Sequence, residues 1–311
     1  MKRLALFFLV FAQILVLSAC GATTAEPTAT LEAAGPSSLE KLDGSQLSTA
    51  ELEASIAAIM EQADVAGLSL AIINESEIVY QQAFGYKDRT GGTRSDEQTL
   101  FSAASFSKPV FAYLVMLLVE EGVIDLDRPL HEYLDQPLYE YPGYAGLKDD
   151  PRYEQITARM ALSHTTGLPN SRLFTGDGEL VLMFPPGSRH SYSGEGILLL
   201  QKVVEQVTGQ DLQTLAGEKV FQPLGMSRSS YTWQPEYDDN HASPHDIWGR
   251  PRGERIQPAD PDAAGSMVTT AGDYARFLVG LLSAEGQRRT TVAEMFQPQV
   301  SIDSRRMYGP D

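Results

Sequence analysis

The sequence predicts an α+β fold, and three observations predict it. "GLSLAIIN" (Gly67 to Asn74) and "EIVYQQAFGY" (Glu77 to Tyr86) read as two strands, with Asn74, Glu75 and Ser76 supplying the turn of a hairpin. Val110 to Val119 is almost wholly apolar and is ended by Gly122, the pattern of a helix buried on all sides. Amphipathic helical patterns then dominate the rest of the chain. An order of helix, hairpin and many helices is an α+β order.

The first helix opens at Ser48, which with Glu51 has capping-box spacing. Leu52, Ile56, Ile59, Met60 and Ala63 follow at helical intervals. The hairpin comes next. The buried helix starts near Ser105, with Pro109 in its first turn, where proline is tolerated. It is too short to cross a bilayer. Amphipathic helices are expected at Thr157–Ser163, Glu195–Thr208, Leu212–Val220 and Asp273–Leu282, and a short one around Thr291–Phe296. Thr270 and Asp273 again have capping-box spacing. Asp135–Tyr153 and Gln234–Asp262 read as long polar loops containing Pro and Gly. No internal repeat is visible.

Length and composition bound the function. The 311 residues suffice for one large or two modest domains. A formal net charge of −17 argues against nucleic acid, whose phosphates need a basic face. The one cysteine, Cys20, excludes an intramolecular disulfide and a cysteine-based metal site. It follows a basic start (Lys2, Arg3), an apolar run from Leu4 to Leu17 and the small pair Ser18-Ala19. That segment has the form of a secretory signal, and its end resembles a bacterial lipoprotein cleavage box with Cys20 as the lipidated residue. The alternatives are ordinary cleavage near Ala19 and an uncleaved anchor. On the lipoprotein reading, residues 1–19 are the signal peptide and residues 20–48 a flexible tether, rich in Ala, Thr, Ser, Pro and Glu. Residues 49–311 are then the folded domain, held in the cell envelope on the extracytoplasmic side of a bacterial membrane.

One chemical motif stands in a suggestive context. Ser105-Phe106-Ser107-Lys108 puts a serine and a lysine three residues apart, on one face of a helix. A serine at a helix N-terminus lies close to unpaired backbone N–H groups that can stabilise an oxyanion. A buried lysine one turn on can act as a base. The competing reading is that Ser105 only caps the helix and Lys108 points to water. A second match, Ser38 to Lys41, falls in the expected tether and is set aside. Tyr192, after a Pro-Pro-Gly turn and before an apolar helix, could relay protons beside the lysine, or could simply pack on the domain. Other chemistries find no support: there is no GxSxG elbow, Walker A loop, GxGxxG or HExxH. His241 and His245 have i, i+4 spacing, but in a Pro-broken loop. No metal and no organic cofactor are called for.

Five segments in order carry a resemblance: "TLFSAASFSKPVFAYLVMLLVEEGVIDLDRPLHEYL", "ITARMALSHTTGLPN", "PPGSRHSYSGEGILLLQKVVEQVTGQDL", "VFQPLGMSRSSY" and "AAGSMVTTAGDYARFL". Together they resemble the serine β-lactamase family, in its class C and esterase-like branch, related to penicillin-binding proteins and D-Ala-D-Ala carboxypeptidases. The resemblance covers roughly Glu51 to Leu282. It implies an antiparallel sheet flanked by helices plus an all-helical domain. It implies that Ser105 is the acylated nucleophile, that Lys108 is the lysine of the motif, and that Tyr192 is the tyrosine of the family's Tyr-x-Asn. His164, in "HTTGLP", would be structural. The expected activity is hydrolysis of an ester, amide or β-lactam in a small molecule or peptide; the alternative is a degenerate, non-catalytic binding protein. Two departures stand out. Gly194 occupies the place of the family's Asn. The family's Lys-Thr-Gly or His-x-Gly strand, with the remaining sheet strands, would come after the last residue of this sequence, so the domain is read as C-terminally incomplete.

Overall fold

The computed structural model describes residues 36–176, 178–250, 252–253 and 257–302. Cys20, the signal-like segment and the final "MYGPD" lie outside the described residues. Within the expected tether, residues 38–48 are ordered differently from that reading. Strands β1 (Ser38–Glu40) and β2 (Gln46–Ser48) pair antiparallel. Asp43 accepts from the Ser45 N–H at 2.9 Å in the turn between them, and Leu39 is buried. One anchoring leucine and a side-chain-closed turn order a segment whose composition reads as coil.

The first helix, α1 (Thr49–Gln62), begins as its capping box predicts. The Glu51 N–H donates to Ser48 Oγ at 3.2 Å, and the Ser48 N–H donates to Glu51 Oε2 at 3.1 Å. The hairpin is β3 (Gly67–Asn74) and β4 (Glu77–Asp88), with Asn74 opposite Glu77. Glu75 and Ser76 take φ of 49° and 64°, the left-handed pair that matches strand twist in a two-residue turn. β4 runs two residues beyond its sequence pattern because β5 (Thr93–Arg94) pairs with it. Strand β6 (Phe101–Ser102) precedes α2 (Ser107–Glu120).

α2 is buried nearly all round, as its composition predicts. Val110, Phe111, Leu114 and Val115 are fully inaccessible, each stabilising the fold by roughly 1.5–3 kcal/mol. The helices α3 (Ala158–Leu162), α4 (Gly194–Thr208) and α5 (Leu212–Ala216) join the same core through Ala161, Leu200, Val203 and Leu215. α5 continues as a π-helical turn, Gly217–Phe221, where a uniform helix is expected from the pattern. Strand β7 (Val268–Thr269) pairs with β6, Phe101 opposite Thr269 and Ser102 opposite Val268, and α6 (Ala271–Leu282) and α7 (Gly286–Met295) close the described chain. The Asp273 N–H donates to Thr270 Oγ1, so the second capping signal also holds. Asp135–Tyr153 is not a plain polar loop. It folds into successive 3-10 turns that bury Leu138, Tyr141, Tyr144, Leu147 and Tyr153. Its apolar residues lack helical or strand period, so no pattern announces them. No helix among the described residues is long and apolar enough to cross a membrane.

Candidate active site

Ser105 sits in a 3-10 turn, Ala104–Phe106, that leads directly into α2. The turn is strained and pinned. Ala104 is held at φ 45°, a left-handed conformation costing on the order of 1 kcal/mol or more for a non-glycine residue. Beneath it, wholly buried Ser107 donates from Oγ to Ala104 O at 2.6 Å and accepts from the Met267 N–H at 3.0 Å. The Tyr231 hydroxyl donates to Ser107 O at 2.7 Å, and the Ala103 N–H donates to Met267 O at 2.8 Å. The residues around β7 therefore hold the serine turn from below, while Ser105 itself stays exposed.

Lys108, one turn on, does not point to water. It is 8% exposed, and its Nζ donates to Ser105 Oγ at 3.2 Å and to Ala264 O at 2.6 Å. The same Nζ lies 4.8 Å from the centroid of the Tyr192 ring. The structure thus brings Ser105, Lys108 and Tyr192 together, although Tyr192 is 84 positions from Lys108 in the chain. Ser38 of the other serine–lysine match is spent elsewhere, donating to Gln46 on the exposed β1–β2 hairpin.

Tyr192 is positioned by the segment Ser163–Asn170. Its ring lies tilted against His164, with centroids 4.5 Å apart. His164 is itself left-handed, at φ 56°. Its Nδ1 accepts from the Ser193 N–H at 3.2 Å, which requires a free lone pair there and puts the ring proton on Nε2. Burial pushes the His164 imidazole down to about 4, with neighbouring His190 and Lys108 acting the same way, so it is neutral at ordinary pH. The backbone then zips along: the Ser191 N–H donates to His164 O, and Ser193 Oγ donates to Pro169 O while capping α4 through the Gly196 N–H.

Gly194 has a steric reason. Its N–H is shared between Asn170 O at 3.1 Å and Asn170 Oδ1 at 3.2 Å. A Cβ at this position would stand 2.5 Å from Asn170 O, closer than real side chains come. The departure from Tyr-x-Asn is therefore built into the backbone. The next loop is tied down as well: Arg172 forks onto buried Glu195 of α4, with its Nη2 2.7 Å from Oε2, and the pairing holds the guanidinium above its ordinary range.

Ser107, Tyr231, Ala264 and Asn170 escaped the sequence reading. Each acts through a backbone or buried contact set by the tertiary fold, though Ser107 lies inside the motif and Asn170 directly follows "HTTGLP". His241 and His245 do not converge: His241 Nδ1 is 2.8 Å from Tyr237 O, and His245 Nε2 accepts from the Arg89 N–H. Among the described residues no group of three or more metal-binding side chains occurs.

The fold agrees with that of known proteins. A family description, Beta-lactamase, matches residues 52–308. The chain belongs to the beta-lactamase family. It is 31% identical over 210 residues to Esterase EstB of Burkholderia gladioli, covering 58% of this chain and 52% of that one. It is 29% identical over 203 residues to a putative D-alanyl-D-alanine carboxypeptidase of Escherichia coli K12, covering 56% and 45%. The chain thus spans about half the length of these curated relatives. The octameric penicillin-binding protein homologue of Pyrococcus abyssi superposes with a TM-score of 0.66 at 23% identity, over 85% of this chain and 63% of that one, a likeness of fold. As in this family, an antiparallel sheet stands beside helices in an α+β arrangement.

Proposed function

We propose that this beta-lactamase family member is a serine hydrolase working through an acyl-enzyme on Ser105. The observation that carries the proposal is the 3.2 Å hydrogen bond between buried Lys108 Nζ and Ser105 Oγ, with the Tyr192 ring on the same lysine. In the first step Lys108 and Tyr192 together take the Ser105 hydroxyl proton. Oγ bonds to the substrate carbonyl carbon, whose oxygen becomes an oxyanion facing the Ser105 N–H. The carbonyl re-forms as the leaving group departs with a proton from Tyr192. Water then attacks the acyl carbon, and Ser105 regains its proton as the acid product leaves. Ala264 O keeps Lys108 aimed during this cycle.

The substrate class is an ester, amide or β-lactam, in keeping with relatives named as an esterase and a carboxypeptidase. The test is turnover of short-chain p-nitrophenyl esters and of a chromogenic cephalosporin, with a fluorophosphonate as active-site label. Ser105→Ala should lose turnover and labelling. Labelling that survives this substitution would sink the assignment, and a wild-type protein that neither labels nor turns over would be a binding protein. We also propose that Cys20 carries a lipid anchor on the extracytoplasmic side of the membrane, on the strength of "LSAC" after an apolar run. Radiolabelled fatty acid should enter the wild type and not Cys20→Ala.

A further inference from the structure

Lys108 is aimed by a carbonyl that belongs to no helix or strand. Ala264 O, 2.6 Å from Lys108 Nζ, lies in a turn just before β7. The next residue is Gly265, the residue type with the freest backbone. Within the turn, the Ala264 N–H donates to Asp262 Oδ1 at 2.6 Å and the Gly265 N–H to Asp262 O at 3.1 Å. On the far side Ser266 Oγ donates to Tyr231 O at 2.6 Å. On the near side the turn is gripped by a side chain of α4, Gln201.

Gln201 is 7% exposed, and both ends of its amide are engaged. Nε2 donates to Pro261 O at 2.9 Å and to Glu205 Oε1 at 3.0 Å, and Oε1 accepts from the Ala263 N–H at 2.8 Å. The partners fix which end is which: two acceptors require the –NH2, and an N–H requires the oxygen. Glu205 is held in turn by the Leu212 N–H at 3.0 Å. The amide therefore clamps the backbone on either side of Asp262, in a buried place where a lost partner is costly. From there the contacts run unbroken to the nucleophile. Ala264 follows Ala263, its carbonyl is 2.6 Å from Lys108 Nζ, and Nζ is 3.2 Å from Ser105 Oγ. α4 is also the helix whose start follows Tyr192 by two residues. One helix thus sets the tyrosine directly and the acceptor of the lysine through Gln201.

We infer that Gln201 is a positioning residue for the acyl transfer: its amide clamps Pro261 and Ala263 so that Ala264 O holds Lys108 in register with Ser105 and Tyr192. The inference rests on the hydrolase reading. An N–H held on Ala264 O fixes the rotation of Nζ about its Cε bond. It thereby fixes the direction in which the lysine lone pair meets the Ser105 hydroxyl proton. A displacement on the order of 1 Å in such a geometry is enough to slow the chemistry about 100-fold. It leaves substrate binding alone, because Gln201 is buried away from the substrate. A Gln201 that only filled space on α4 would be replaced without loss by a side chain of its own length.

The experiment measures kcat, KM and melting temperature with p-nitrophenyl acetate for the full chain as wild type, Gln201→Met, Gln201→Glu and Leu200→Ala. Met has the length of Gln and makes none of its three hydrogen bonds. Glu keeps an oxygen for the Ala263 N–H and has no donor for Pro261 O. Leu200, wholly buried and next to Gln201 on α4, reports what plain destabilisation of that helix does to turnover. In Gln201→Met kcat should fall about 10- to 100-fold with KM within about two-fold of wild type. The rate of fluorophosphonate labelling at Ser105 should fall with it. Leu200→Ala should melt lower and keep its kcat below the transition. An unchanged kcat in Gln201→Met overturns the inference, and so does a loss that falls on KM alone. A kcat loss in Leu200→Ala as large as that in Gln201→Met overturns it too, since packing of α4 would then account for both. If Gln201→Met does not fold, Gln201→Glu decides by the same criteria. A wild type that neither labels nor turns over sinks the hydrolase reading, and the positioning role with it, before any variant is compared.

Discussion

The β3–β4 hairpin and the α2–α4 helix pair come from the same chain and are built on opposite terms. Of α2's fourteen residues ten are buried, including Ser107 and Lys108. None of the residues of α1 or β3 is buried, and only Tyr80 is buried in β4. Ile59 of α1 is 63% exposed. The hairpin is held mainly by its own ladder, with β3 and β4 resting on α6. The helices are held by a shared core. Every side chain of the proposed chemistry belongs to the helical side: Ser105 in the 3-10 turn that leads into α2, Lys108 at the start of α2, Tyr192 just before α4, and His164 after α3. A rigid catalytic geometry needs side chains locked by packing, and the helical core together with Met267 and Tyr231 supplies that lock, whereas the β3–β4 hairpin does not.

This contrast can be broken most directly at Lys108. Lys108→Ala should lower kcat/KM on a p-nitrophenyl ester by about 10²–10⁴-fold, the usual weight of a positioned acid–base group. An equally large loss from Glu53→Ala on α1, which bonds Tyr80, would show that the site depends on the hairpin side as well. The second comparison is of stability. Leu114→Ala, in the centre of α2, should cost about 2–5 kcal/mol in urea unfolding. Leu70→Ala, on half-buried β3, should cost roughly 1 kcal/mol. Equal costs would erase the distinction between the two regions.

A pH series sharpens the account of the helical side. Folded His164 protonates near pH 4 against an ordinary value of 6.5. Above pH 6.5 both states are neutral there and the stability it contributes is complete. As pH falls from 6.5 to 4 the unfolded state takes the proton and the folded state does not, so stability falls. The loss is on the order of 3 kcal/mol and is complete below pH 4. His164→Asn keeps an acceptor for the Ser193 N–H and tolerates the left-handed backbone. It should flatten this interval of the wild-type curve, while the carboxylates that favour ionisation, such as Asp127 and Asp150, still lose stability in acid. An unaltered curve would mean that His164 is not the group responsible. The smallest effect is expected on the exposed side: Ser48→Ala removes the α1 capping box and should cost about 0.5–2 kcal/mol, with no change in kcat.

Much of this was legible in order along the chain. The α1 cap, the Glu75–Ser76 turn and the all-round burial of α2 follow from local rules, because a cap, a hairpin turn and an apolar helix are each decided by a few adjacent residues. The serine–lysine pair was legible for the same reason, three residues being one helical turn. The 3-10 turns of Asp135–Tyr153 and the ordered hairpin at residues 38–48 were not, since single buried side chains without a period leave no pattern.

By itself the sequence determined which residues could do chemistry, and that Ser105 and Lys108 would meet where the buried helix begins, because local spacing sets the face of a helical turn. Only the tertiary structure decided that Lys108 turns inward to Ser105 and Ala264, that Tyr192 meets it across 84 positions, and that Asn170 takes the space Gly194 leaves. Those contacts join α2, the α3–α4 connection and the residues before β7. Their geometry is set by how the helices pack on one core, which no window of neighbouring residues encodes.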